Sequence, residues 1–130
     1  MSSYDDRPEG RAVAGTKIRA EIFCGANIGS TGIVSDLEFE TFLTQHCRFE
    51  GYTVINAVGH WTDPDPAKWS GKEWTRVIVI YGPNSNTFAA EVRKLAAAYA
   101  RQFNQSAVGV GFSPAGFFLI DQSEGAPVGI

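Results

Sequence analysis

The sequence predicts an α+β fold, a ferredoxin-like β-α-β-β-α-β sandwich with a short extra C-terminal strand. Three observations lead there. Val77, Ile78, Val79 and Ile80 form an unbroken β-branched run, the pattern of a central strand covered on both faces. Phe88, Val92, Leu95, Ala96, Tyr99 and Phe103 recur at the spacing of one helix face. A strand, a helix and a second strand precede that run, and this order sets two crossover helices on one face of an antiparallel sheet.

Residues 1–15 are rich in Ser, Asp, Arg, Pro and Gly without periodicity and read as a tail. The domain is expected over 16–120, with a second tail at 121–130. From Ile18 the chain alternates: Ile18, Ala20, Ile22 and Cys24 share one face, and Arg19, Glu21 and Phe23 the other. The glycine-rich stretch 25–34 lacks both phosphate-loop spacings and is expected to be a flexible connection, with Asn27 and Ser30 its polar groups of interest. Ser35-Asp36-Leu37-Glu38 fits a capping box, with Val34 placed to staple against Phe39. Phe39, Phe42, Leu43 and Cys47 then give the buried stripe of the first helix. Residues 52–60 are β-formers, and the third strand is expected over 75–81. The second helix is expected over 87–103, with Asn104 as its left-handed terminator. Strands over 107–112 and 116–120 are expected about a turn at Ser113-Pro114-Ala115-Gly116.

At 130 residues the chain is one domain with room for one sizeable core. A net charge of -3 argues against a nucleic-acid partner, which would call for a basic patch. No apolar run reaches membrane-spanning length and no apolar signal segment opens the chain, so a soluble cytoplasmic protein is expected. Cys24 and Cys47 are expected to be reduced. With no C-x-x-C or H-x-x-x-H spacing, neither a metal nor another cofactor is called for.

The candidate site lies in residues 60–81, which hold all three tryptophans. The imidazole of His60 is of a type that suits acid–base work, although a solvated rim histidine has the same signature. Trp61 and Trp69 suit stacking on an aromatic or sulfonium ligand, and equally the burial of their own loop. Asp63-Pro64-Asp65-Pro66 is a polar lining or simply a rigid turn. Glu73 is the carboxylate placed to project from a strand edge toward a subunit interface, or equally to form a surface salt bridge. Phe23, apolar on a polar face, and Tyr81, at the far end of the third strand, complete the ligand-contact candidates with Asn27. No nucleophile–base pair can be assembled, and Cys24 has no evident activating partner. A sheet with helices on one face leaves the other bare, so the doubly apolar third strand predicts a homo-oligomer, a trimer in preference to a dimer.

Val34-Ser35-Asp36-Leu37-Glu38 and Gly59-His60-Trp61-Thr62-Asp63-Pro64-Asp65 resemble the V-S-D-x-E and G-x-W-x-D-P-D stretches of an uncharacterised bacterial family of small domains. That resemblance spans about residues 20–120 and implies no activity. In topology, the long loop 62–73 sits where trimeric PII-like proteins place their ligand-responsive loop. Phage S-adenosylmethionine lyases look similar in the same terms: a ferredoxin-like trimer, a site between subunits, and an acidic residue before the third strand, where Glu73 stands. Their upstream tyrosine has Trp61 as its nearest counterpart in this chain, a side chain without a hydroxyl.

Three functions fit these features. One is a small-molecule-binding or enzymatic oligomer with an interface site on the tryptophan loop. Another is S-adenosylmethionine cleavage, with Glu73 and His60 as the catalytic pair. The third is a non-enzymatic module that grips a protein through the same aromatics.

Overall fold

The computed structural model describes residues 17–28, 31–67 and 70–124. The expected tail at 1–15 and most of the one at 121–130 lie outside them, as do Ser30 and Trp69. Eight elements follow in order: β1 (Lys17–Gly25), β2 (Asn27–Ile28), β3 (Gly32–Ile33), α1 (Asp36–His46), β4 (Thr53–Trp61), β5 (Gly71–Pro83), α2 (Asn86–Gln102) and β6 (Gly109–Ala115). The main sheet runs β4-β5-β1-β6, every pair antiparallel, which is the ferredoxin-like arrangement.

Alternation along the central strands divides the sheet into two faces. Ala20, Ile22 and Cys24 of β1 and Ile78 and Ile80 of β5 are buried beneath the helices. From α1 they meet Phe39, Phe42 and Leu43, and from α2 the predicted stripe from Phe88 to Phe103. An aromatic cluster ties the helices together: Phe42 meets Tyr99 edge-on at 5.3 Å and Phe103 at 5.8 Å between centroids. Full burial of each such side chain contributes about 1.5–3 kcal/mol, so this layer is the main source of stability.

Both helix starts obey the local chemistry. The Ser35 hydroxyl accepts from the Glu38 N–H at 3.1 Å, and the Glu38 carboxylate accepts from the Ser35 N–H at 3.0 Å, closing the capping box. These bonds hold the Glu38 carboxyl below the usual carboxylate range. Ser85 caps α2 through the Phe88 N–H, and Asn104, at φ 51°, ends it in the left-handed region.

Three expectations need correction. The stretch 25–34 is not a loose connection. Asn27 and Ile28 pair with Ile33 and Gly32, and the Ala26 N–H donates to the Trp74 carbonyl at 2.8 Å, continuing the main ladder. The third strand, β5, begins at Gly71 rather than Thr75. Its first residues, Gly71-Lys72-Glu73-Trp74, include no β-branched side chain, so the β-branched signal starts late, although they pair fully with β4. Glu73 therefore lies inside a strand, opposite Gly59. The extra C-terminal strand does not form. Ser113-Pro114-Ala115 stays in β6, where an edge strand tolerates proline, and Ala115 pairs with Lys17, the first described residue of β1. The chain then leaves the sheet, and Phe117 stacks on Tyr81 at 4.2 Å.

On the face away from the helices, Val77 and Val79 are only 7% and 4% exposed within the single chain, whereas Phe23 and Ile55 beside them are 42% and 45% exposed. The valines are thus covered within one chain, and it is the outer pair that a partner would cover. Cys24 and Cys47 are both free. Among the described residues no helix is long and apolar enough to cross a membrane.

Candidate functional site

On the helix-free face, where β4 and β5 run past the end of β1, a cleft of about 760 Å³ opens. Its sheet side is formed by Phe23 and Gly25 of β1, Gly59 and Trp61 of β4, and Glu73 and Thr75 of β5. The loop from Asn104 to Ala107 walls one side, and Asp63 and Ala67 of the tryptophan loop border another.

Glycines make the floor. The Cβ of any residue at position 25 would lie 2.7–2.9 Å from the Glu73 carboxylate, so that carboxylate occupies room which only glycine leaves. At Gly59 the obstacle is the Thr75 hydroxyl at 2.8 Å. Glu73 Oε2 accepts from the Asn27 N–H at 3.1 Å. Among the described residues, Oε1 accepts no hydrogen bond. Beneath the floor, the buried Tyr99 hydroxyl donates to the Gly25 carbonyl at 2.6 Å, and burial raises that phenol well above its ordinary range.

The cleft brings together six of the eight residues singled out from the sequence: Phe23, Asn27, His60, Trp61, Asp63 and Glu73. They do not stand equally. Alternation along β4 sets His60, paired with Lys72, one residue out of phase with Trp61 and with the Gly59–Glu73 pair, and so on the opposite face. The Asp63 carboxylate accepts from the Asp65 N–H at 2.9 Å, and that of Asp65 from the Ala67 N–H at 3.0 Å. These are consecutive Asx turns, and the loop's own backbone uses both side chains. Tyr81 lies away from the cleft, receiving a hydrogen bond from Arg19 at 2.7 Å. Trp69 falls outside the described residues.

Sequence reasoning missed Gly25, Thr75 and the wall formed by Asn104, Gln105 and Ser106. A glycine closing an otherwise regular alternating strand is a signal that could have marked Gly25. Nothing local marks Gln105, whose place depends on how α2 docks. Among the described residues the cleft wall carries two carboxylates and no lysine or arginine, so it favours a cationic ligand over an anionic one.

No curated protein matches this chain. Among solved structures it is similar to a phage SAM lyase in complex with S-methyl-5'-thioadenosine, with a TM-score of 0.62 at 19% identity, over 76% of this chain and 81% of that one. The same holds for a phage SAM lyase in the apo state, with a TM-score of 0.61 at 19% identity, over 77% and 82% of the two chains. At that identity the likeness establishes the fold. In sequence, residues 19–117 match the family described as "Protein of unknown function (DUF3574)", and the chain belongs to that family.

Proposed function

We propose that this protein binds S-adenosylmethionine in the cleft and cleaves it, releasing methylthioadenosine. The observation that carries this reading is the Glu73 carboxylate, held on the cleft floor by the Asn27 N–H in a cleft that also holds Phe23 and Trp61 and, among the described residues, no lysine or arginine. A sulfonium suits such a place through charge and through cation–π attraction to Trp61 or Phe23. The likeness in fold to a lyase seen with methylthioadenosine supports the same choice.

The chemistry asks little of the protein beyond positioning. As the substrate's own carboxylate oxygen attacks the γ-carbon, a C–O bond forms while the C–S bond breaks with its electron pair going to sulfur. The thioether therefore leaves neutral, the aminoacyl part leaves as a lactone, and no proton is gained or lost. A site with no nucleophile–base pair is adequate for that. Glu73 would hold the cationic centre, the aromatics would flank the adenosine half, and the tryptophan loop would limit water. His60, on the other face of β4, is the weaker member of the expected pair. Trp61 is 50% exposed, so the cleft is open on one side in a single chain. A second subunit against Phe23 and Ile55 would close it, and we favour a trimer.

Incubation with S-adenosylmethionine should yield methylthioadenosine. Glu73→Gln keeps the shape and removes the charge. Loss of a charge-assisted contact predicts a roughly 10- to 100-fold fall in kcat/KM, with stability changed by less than about 1 kcal/mol. No product from the wild type refutes the lyase. The exposed Trp61 also favours a second reading, a non-enzymatic module gripping a protein. Thermal stabilisation by methylthioadenosine separates the two, since such a module gains nothing from it.

A further inference from the structure

The segment from Gly25 to Asn27 has a partner for every backbone group facing inward. The Gly25 carbonyl accepts from Tyr99, the Ala26 N–H donates to Trp74, and the Ala26 carbonyl accepts from the Val34 N–H at 2.7 Å. The Asn27 N–H goes to Glu73, and the Asn27 carbonyl accepts from Gln105 Nε2. Thus Asn27 is held at one end by the cleft carboxylate and at the other by a side chain from the loop after α2.

Gln105 is itself fixed. Its backbone N–H donates to the Ala100 carbonyl at 2.9 Å, and its Nε2 also donates to the Phe103 carbonyl at 3.1 Å. Two carbonyls converge on this one atom, so it is the amide nitrogen: the amide oxygen there would face two acceptors. The left-handed turn at Asn104 aims the chain so that the side chain spans from the end of α2 to the β1–β2 link.

We infer that Gln105 is a positioning residue for Glu73, acting through Asn27. It fixes the peptide whose N–H orients the carboxylate, and it does not reach the cleft carboxylate itself. A helix-capping role alone would use the bond to Phe103 and leave the bond to Asn27 without purpose. This inference rests on the reading of Glu73 as the ligand-binding carboxylate.

Residue-resolved amide hydrogen exchange tests it without any assay of activity. In Gln105→Ala, the Asn27 amide should exchange about fivefold faster or more, as loss of one hydrogen bond implies, while Ile22 and Ile80 in the core keep their rates. Gln105→Glu fills the same space but sets oxygens against the two carbonyls, so it should behave like the alanine variant. Adding Gln105→Ala to Glu73→Ala should quicken Asn27 no further, because the bond it supports is already gone. Unchanged Asn27 exchange in Gln105→Ala, or rescue by Gln105→Glu, overturns the inference. The kinetic arm is separate. With S-adenosylmethionine, Gln105→Ala should lower kcat/KM in the same direction as Glu73→Gln. Absence of methylthioadenosine from the wild type sinks the lyase reading, and the exchange rates still decide the role of Gln105.

Discussion

Gly25→Ala is the sharpest test of the cleft floor. The added Cβ would stand 2.7 Å from Glu73 Oε1 and 2.8 Å from Oε2. Ordinary contact at such a place begins near 3.4 Å, so the carboxylate has to withdraw by about 0.7 Å. Swinging away breaks the bond from the Asn27 N–H. A charge-assisted bond contributes about 1.5–3 kcal/mol, and water reaching a half-buried carboxylate recovers part of it, leaving a loss of about 1–2 kcal/mol. Gly25 has ordinary strand geometry, and alanine there restricts the unfolded chain, offsetting about 0.4–1 kcal/mol. The net cost is about 1 kcal/mol, or roughly 3–5 °C in Tm. Binding should suffer more, because the displaced carboxylate enters the space meant for ligand: methylthioadenosine affinity by calorimetry should fall about tenfold or more. Gly51→Ala, with nothing within 4 Å of its added carbon, is the matched control. Wild-type affinity in Gly25→Ala, together with an unshifted Asn27 amide resonance, would refute the role of Glu73 as the carboxylate that Gly25 admits to the cleft floor.

Gly82→Ala tests the core instead. Its Cβ would lie 2.2–2.6 Å from the buried Phe88 ring, and overpacking of this kind costs about 1–3 kcal/mol, so the melting temperature should drop clearly with ligand affinity at the working temperature preserved. Cysteine chemistry should be strongly site-selective. Burial pushes the Cys24 thiol up to about 12, so iodoacetamide should modify the half-buried Cys47 in the native protein and Cys24 only after unfolding. Early labelling of Cys24 contradicts the packing of β1 under the helices. Glu38→Gln should lower Tm at neutral pH. The Glu38 carboxyl titrates below its ordinary range when folded, so its stabilisation is present above the unfolded value and is lost as pH falls through the folded one. The gap between wild type and variant should therefore close in acid, and a gap independent of pH would assign the cap to Ser35 alone.

What the sequence by itself determined was everything governed by short-range pattern. Alternation at Ile18–Cys24 named the inner face of β1, the spacing from Phe88 to Phe103 named the buried side of α2, and Ser35 with Glu38 named a helix start. These succeed because period and capping are decided by the backbone within a few residues. Pro114 misled for the complementary reason: proline signals a turn locally, yet an edge strand has no partner for the hydrogen it lacks, and only the sheet order reveals that β6 is an edge. The site shows the same division. Trp61 and Glu73 were legible as unusual residues beside an apolar strand. Their common face was not, since it depends on the β4–β5 register that pairs Gly59 with Glu73 and leaves His60 out of phase. Tertiary structure alone decided that the absent side chain of Gly25 makes room for a carboxylate, and that Tyr99 and Gln105, some eighty residues further along, grip the peptides on either side. Such contacts join elements whose separation in sequence carries no local pattern, so they exist only once the helices have docked on the sheet.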